Sequence, residues 1–161
     1  MKAEERASSV MRLYFLRHGA ADWPNWKRPD DERPLTDAGR KEMHEVGKFL
    51  ASLKVKIDVI LTSPLPRAAQ TADIAAEHLK VRAREEKLLT PGFQIEDLTR
   101  LLRKYPEHVL ILVGHEPDFT GVITALTGAN LKLSKAGVAL VDLNLQKGKL
   151  LWLFPPKIAK N

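Results

Sequence analysis

Segments of strand length alternate with segments of helical periodicity along most of this 161-residue chain. The predicted strands are short and mainly apolar, whereas the predicted helices carry apolar residues three or four positions apart. In chain order we predict strand 13–16, helix 37–53, strand 57–61, helix 66–79, strand 81–84, helix 95–105, strand 109–113, helix 117–126 and strands 138–145 and 150–154. Because alternating strands and helices build a mainly parallel sheet covered on both faces, we expect one three-layer α/β/α sandwich.

Single residues mark several boundaries of these elements. Thr36 has a typical helix N-cap side chain, and Pro66 suits the first turn of a helix. Pro106 disfavours helical geometry in the residue before it, so the third helix must end there. We expect the last two strands to form a hairpin that turns at Lys147-Gly148.

Composition excludes several classes of protein. The chain has no cysteine, which excludes disulfides, thiolate catalysis and thiolate metal sites. A net charge of +6 favours anionic partners, although the cations are scattered as on a solvated surface. We expect neither a nucleic-acid partner, because no binding motif is present, nor a membrane partner, because no apolar segment is long enough. The start of the chain does not resemble a secretion signal, so we expect a cytoplasmic protein. We expect one domain at residues 11–161 after an N-terminal extension at residues 1–10.

Unusual polar residues follow three of the predicted strands. The first strand ends at Arg17 and His18, the second is followed by Arg67, and the fourth is followed by His115. In open α/β sheets the carboxyl ends of the strands form the ligand-binding edge. We therefore expect these two arginines and two histidines to meet at one rim of the sheet.

Such a set of side chains suits a phosphoryl group better than a metal ion. Two guanidiniums repel a cation, and neither histidine is accompanied by a pair of acids. Arginine forks hydrogen-bond phosphate oxygens, each contact contributing roughly 4 kcal/mol at 4 Å and an effective dielectric near 20, before desolvation. Nearby positive charge also lowers a histidine pKa, so His18 is expected to be neutral and nucleophilic at pH 7.

Four short motifs together resemble the histidine phosphatase superfamily, whose members include phosphoglycerate-mutase-like enzymes. They are "RHG" at residues 17–19, "RPLTDAGR" at 33–40, "SPLPRAAQTA" at 63–72 and "GHEP" at 114–117. The short chain and the "LTPG" segment at 89–92 are most similar to SixA-type phosphohistidine phosphatases. The resemblance extends from about residue 11 to residue 154.

The resemblance implies a role for each matching residue. His18 would carry a covalent phosphoryl intermediate, Arg17 and Arg67 would bind phosphate oxygens, and His115 would stabilise charge in the transition state. Gly19 would leave room for the phosphate to approach. No metal or organic cofactor is implied.

Ser63 and the loop between residues 20 and 36 leave alternatives open. Ser63 either donates a hydrogen bond to phosphate or only caps the following helix. Arg28 and Arg33 are expected to be solvated or to reach the rim of the site. Trp23 and Trp26 are expected either to pack in the core or to form a recognition wall for a protein substrate.

The usual catalytic glutamate of mutase-like relatives is not evident in this chain. Glu116 is the preferred substitute as proton donor, although it could instead cap the helix that follows, and Asp22 and Glu86 are the other candidates. A sugar-phosphate leaving group needs an acid, which contributes roughly 10²–10⁴ in rate, whereas the nitrogen of phosphohistidine can be protonated before it leaves.

Three functions therefore compete. The leading hypothesis is a monomeric phosphatase that hydrolyses phosphohistidine in proteins. The alternatives are a phosphomonoesterase of small molecules and a non-catalytic module that recognises phosphate.

Overall fold

The computed structural model describes residues 10–145 and 147–160, so most of the expected N-terminal extension at 1–10 lies outside it. The strands are β1 (Met11–Arg17), β2 (Val59–Thr62), β3 (Ala83–Glu85), β4 (Val109–Gly114), β5 (Val138–Asn144) and β6 (Lys147–Phe154). The α-helices are α1 (Asp37–Ser52), α2 (Pro66–Leu79), α3 (Ile95–Lys104) and α4 (Asp118–Thr127). Short 3₁₀ turns lie at Asp30–Glu32, Lys87–Leu89 and Pro156–Lys160.

One six-stranded sheet runs through the molecule in the order β3-β2-β4-β1-β5-β6. Strands β3, β2, β4 and β1 are parallel, whereas β5 is antiparallel to β1 and β6 is antiparallel to β5. The expected mainly parallel sheet is therefore confirmed. Because β4 lies between β2 and β1, the three strand ends with unusual polar residues are neighbours.

Alternate residues of the central strands face opposite helical layers. Leu13 and Phe15 of β1 face α3 and α4, whereas Tyr14 and Leu16 face α1 and α2. All four β1 side chains are at most 2% exposed, as expected for a strand buried on both faces. The three-layer α/β/α architecture is therefore confirmed.

Local capping residues position the helices around the sheet. The Thr36 hydroxyl accepts a hydrogen bond of 3.0 Å from the backbone N–H of Gly39, and Pro66 is the first residue of α2. Tyr105 follows α3 with extended geometry, as expected before a proline. No helix in the described part of the chain is long and apolar enough to span a membrane.

The expected hairpin turn at Lys147-Gly148 is wrong. Both residues belong to β6, where Lys147 pairs with Asn144 and Gly148 pairs with Leu143, so neither residue forms the turn. A Cβ on Gly148 would lie 3.1 Å from side-chain atoms of α4 and β5. Gly148 therefore allows α4 to approach the sheet closely. In the sequence alone, a glycine needed for such a long-range contact cannot be distinguished from a glycine that forms a turn.

Candidate functional site

A cavity of about 340 Å³ lies at the carboxyl ends of β1, β2 and β4. The structure brings together there five of the residues singled out in the sequence: Arg17, His18, Arg67, His115 and Glu116. The other lining residues are Ala21, Asp22, Asp30, Arg33, Pro91 and Lys135. Gly19 and Ser63 are not among the lining residues. Gly19 is hydrogen-bonded to Thr71 of α2, and Ser63 is hydrogen-bonded to His115.

His18 is held by its backbone and by one ring nitrogen. Its N–H donates to Gly114 O at 3.1 Å, and its carbonyl accepts a bond from the N–H of Ala136, so β4 and the segment before β5 position it. The ring Nδ1 lies 2.7 Å from Gly19 O. Because a carbonyl oxygen only accepts, Nδ1 carries the proton and Nε2 carries the lone pair.

The environment of His18 keeps its imidazole neutral. Burial lowers the pKa of His18 from 6.5 to about 4, since the hydrogen bond to Gly19 opposes this only in part and the guanidiniums of Arg67 and Arg17 lower it further. The side chain is therefore uncharged at pH 7 and has a nucleophilic nitrogen beside two cations.

His115 faces His18, with 5.3 Å between the ring centroids. Burial lowers the pKa of His115 to about 3, and neighbouring His18, Arg67 and Arg17 add to the effect. The ring Nε2 lies 2.8 Å from the hydroxyl of Ser63, which also accepts a bond of 3.3 Å from the N–H of Leu65. Ser63 thus links the second histidine to the start of α2.

The two predicted arginines are anchored at the cavity by different elements. Arg17 Nη1 donates to Leu133 O at 3.0 Å. Arg67 is 6% exposed, and its Nη1 and Nη2 donate to the backbone oxygen and the carboxylate of Asp30 at 2.9 and 3.4 Å. Burial lowers the pKa of Arg67, while Asp30 opposes this effect. Both arginine Nε atoms are buried without a hydrogen-bond partner among the described residues, as expected of donors that serve an anion.

Gly19 lies where the loop after β1 meets the first turn of α1. Its N–H donates to the Thr71 hydroxyl at 3.0 Å, and that hydroxyl donates to Arg67 O at 2.7 Å. A Cβ on Gly19 would lie 3.3 Å from Gly39 O and from the Leu35 side chain. Crowding by α1 therefore accounts for this glycine, and its expected contact with phosphate stays a prediction.

The carboxylate of Glu116, the preferred proton donor, is bonded to α4. One oxygen accepts from the Thr120 N–H at 2.7 Å, and the other accepts from the Thr120 hydroxyl. These contacts match the capping alternative for Glu116, although the residue also lines the cavity. Its role as an acid stays a prediction.

The other two candidate acids, unlike Glu116, are hydrogen-bonded to lysine side chains. Asp22 accepts from Lys135, a hydrogen bond that lowers the pKa of Asp22 despite slight burial. Burial raises the pKa of Glu86, but hydrogen bonds from Lys104 and Tyr105, each 2.9 Å long, outweigh it and lower the pKa overall. Glu86 is not among the residues lining the cavity. Both carboxyls are therefore ionised at neutral pH.

Sequence reasoning missed Asp30 and Lys135 as lining residues. Asp30 enters the cavity through the 3₁₀ turn of the loop after β1, and Lys135 enters from the segment before β5. No local pattern distinguishes them from other surface charges, because their position depends on how the loops pack. Nearby Trp23 is 39% exposed, and its ring centroid lies 6.2 Å from that of Trp26, so this pair forms a surface feature.

Known structures share this fold closely. The protein histidine phosphatase SixA complexed with tungstate superimposes with a TM-score of 0.83 at 24% identity, covering 92% of this chain and 99% of that one. A candidate phosphohistidine phosphatase SixA from Agrobacterium tumefaciens has a TM-score of 0.78 at 25% identity, with 91% and 99% of the two chains covered.

Sequence comparisons point to the same group. An uncharacterised protein of Picosynechococcus is 39% identical over 137 residues, which are 80% of this chain and 82% of that protein. The model of the histidine phosphatase superfamily (branch 1) matches residues 13–90, the segment that contains Arg17, His18 and Arg67. The chain belongs to the histidine phosphatase superfamily.

Proposed function

We propose that this protein is a phosphatase that hydrolyses phosphohistidine in other proteins through a phosphoryl group carried on His18. One observation carries the proposal: His18 has its Nδ1 proton bonded to Gly19 and therefore presents the Nε2 lone pair beside Arg17 and Arg67. The low pKa of His18 keeps that lone pair available at neutral pH. The similarity in fold to SixA supports the choice of substrate.

The reaction would proceed in two displacements at phosphorus. In the first, a bond forms from His18 Nε2 to phosphorus as the phosphorus–nitrogen bond of the substrate breaks, and the substrate imidazole leaves as a neutral ring after solvent protonates its other nitrogen. In the second, water attacks the phosphoryl group, which releases inorganic phosphate and restores neutral His18. Arg17 and Arg67 would bind the phosphoryl oxygens throughout, and His115 would stabilise the charge that develops.

The state of the nearby acids favours a phosphorus–nitrogen substrate. Asp22 is ionised beside Lys135, and both oxygens of Glu116 accept bonds from Thr120. An alkoxide leaving group needs a proton from the enzyme in the transition state, whereas a protonated imidazole does not. A site with weak acid assistance therefore suits phosphohistidine better than a sugar phosphate.

The mouth of the cavity is also suited to a substrate that is itself a protein. The side chains of Asp22 and Asp30, which line the cavity, are 64% and 73% exposed. A phosphorylated side chain projecting from a protein surface can enter such an open site.

The test compares hydrolysis of a histidine-phosphorylated protein with hydrolysis of a small sugar phosphate. We expect release of phosphate from the protein substrate, unchanged by a metal chelator, and a loss on the order of 10³-fold or more in His18→Ala. His108→Ala removes an exposed histidine far from the cavity lining and serves as the matched control.

Two outcomes would contradict the proposal. Efficient hydrolysis of sugar phosphates with the phosphoprotein untouched would favour a small-molecule phosphomonoesterase. Phosphate binding without turnover of either substrate would favour a non-catalytic recognition module.

A further inference from the structure

Arg33 lines the same cavity as Arg17 and Arg67, although it comes from the loop between β1 and α1. Its side chain is 22% exposed, whereas Arg28 of the same loop is 73% exposed and pairs with Glu32 along the surface. The two arginines therefore differ in position despite their closeness in sequence.

Two contacts hold the Arg33 guanidinium toward the cavity. Its Nη1 donates to Ala21 O at 2.6 Å, and its Nη2 lies 2.8 Å from a carboxylate oxygen of Asp30. The other carboxylate oxygen of Asp30 lies 3.4 Å from Arg67 Nη2. Asp30 thus joins the two guanidiniums into one assembly.

A donor of Arg33 remains without a protein partner. Its Nε is buried and has no hydrogen-bond acceptor among the described residues, like the Nε atoms of Arg17 and Arg67 and the Nδ1 of His115. All four of these nitrogens belong to side chains that line one cavity. The three guanidinium nitrogens among them are N–H donors, and together they favour an acceptor with several oxygens.

The charges at the cavity point to the same kind of ligand. Four cationic side chains line it against three carboxylates, and the Glu116 carboxylate is bonded to Thr120. The Asp22 carboxylate forms an ion pair with Lys135, and its Oδ1 lies farther from Arg33 Nη1, at 3.9 Å. The remaining carboxylate, that of Asp30, pairs with the guanidiniums of Arg33 and Arg67.

We propose that Arg33 is a third phosphoryl-binding arginine, which contacts the oxygens of the phosphoryl group together with Arg17 and Arg67. The inference rests on the proposed function only in taking a phosphoryl group as the ligand. If Arg33 merely pinned the loop to Ala21, its loss would alter the loop without a specific effect on anion affinity.

Titration calorimetry with inorganic phosphate tests the inference without any catalytic step. We expect Arg33→Gln to weaken phosphate binding by about tenfold or more, as for loss of a charge-assisted contact. Arg28→Gln is the matched control on the same loop and should bind phosphate as the wild-type protein does. Arg33→Lys keeps the charge but loses the forked guanidinium, so its affinity for phosphate should lie between those of Arg33→Gln and the wild-type protein.

Near-ultraviolet circular dichroism of Trp23 and Trp26 shows whether the loop keeps its arrangement in each variant. Phosphate affinity within twofold of wild type in Arg33→Gln, or no phosphate binding by the wild-type protein, would overturn the inference. Weaker phosphate binding by Arg33→Gln would also overturn the inference if it appears only together with a changed tryptophan spectrum and if Arg33→Lys binds phosphate as tightly as the wild-type protein. Phosphate binding that depends on Arg33 in a protein inactive on phosphohistidine would refute the proposed function alone.

Discussion

The two histidines of the cavity are neutral for reasons found in their immediate surroundings. Burial has the largest effect on both, and it lowers the pKa to about 4 for His18 and about 3 for His115. What distinguishes the two rings is the partner of each. His18 donates from Nδ1 to a carbonyl, whereas His115 meets the hydroxyl of Ser63, which can donate or accept.

Ser63→Ala should therefore impair catalysis through His115. Without the hydroxyl, His115 Nε2 loses its hydrogen-bond partner and the ring is free to turn, so we expect kcat for dephosphorylation to fall about 10- to 100-fold with little change in KM. The Leu65 N–H also loses its acceptor, at a cost of about 1–3 kcal/mol in the free energy of unfolding. Steady-state kinetics and urea unfolding measure the two effects.

Thr62→Val is the matched control for that substitution. The Thr62 hydroxyl donates to Ser63 O, so its loss removes a buried hydrogen bond other than the one that reaches His115. We expect Thr62→Val to lose stability but to keep its kcat. Equal losses of kcat in the two variants would show that Ser63 acts through general stability alone.

At the scale of elements, the loop after β1 is attached to the beginning of α1. Ala20 O accepts from the backbone N–H of Thr36 at 3.0 Å and from its hydroxyl at 3.3 Å. The Thr36 hydroxyl in turn accepts from the N–H of Gly39. The same residue that caps the helix thus holds the loop that follows His18.

Gly39→Ala should break this attachment. A Cβ at residue 39 would lie 2.1 Å from Ala20 O, so either the loop or the helix must move. We expect a loss of about 1–3 kcal/mol in the free energy of unfolding, together with weaker phosphate binding because the loop carries Arg33. Urea unfolding and calorimetry measure these changes.

Gly121→Ala provides the control for a glycine within a helix. Apart from the adjacent residues and the backbone of α4 itself, no atom of the described residues lies within 4 Å of the Cβ that this substitution would add, so helix propensity predicts a gain of roughly 0.5–1 kcal/mol. Stability of Gly39→Ala equal to that of the wild-type protein would contradict the close contact between loop and helix.

At the scale of the whole molecule, the two buried histidines make stability depend on pH. The unfolded chain binds a proton at each histidine below about pH 6.5, whereas the folded protein resists protonation down to about pH 4 at His18 and about pH 3 at His115. The unfolded state therefore holds more protons in this window, and the stability present above pH 6.5 is lost as the pH falls through it.

Urea unfolding at about pH 7 and about pH 5 checks this dependence. We expect the drop in unfolding free energy to be about 1.8 kcal/mol per histidine larger in the wild-type protein than in a His18→Asn, His115→Asn variant. An identical pH dependence in the double variant would mean that the two histidines are not held neutral.

Much of the architecture could be predicted because its signals are local. The spacing of apolar residues indicates which face of each helix or strand is buried. Thr36 before α1 and Pro66 at the start of α2 reflect the backbone preferences of residues next to them. The predicted position of the hairpin turn is wrong because Gly148 is required by a long-range contact with α4 and not by a local turn.

The sequence by itself determined the order of strands and helices and placed Arg17, His18, Arg67 and His115 after the strands that carry them. The tertiary structure alone decided that β4 lies between β1 and β2, that Ser63 meets His115, and that Asp30, Arg33 and Lys135 reach the same cavity. The physical reason is distance along the chain. Periodicity and capping act between near neighbours, whereas a binding site forms from contacts between residues separated by many tens of positions.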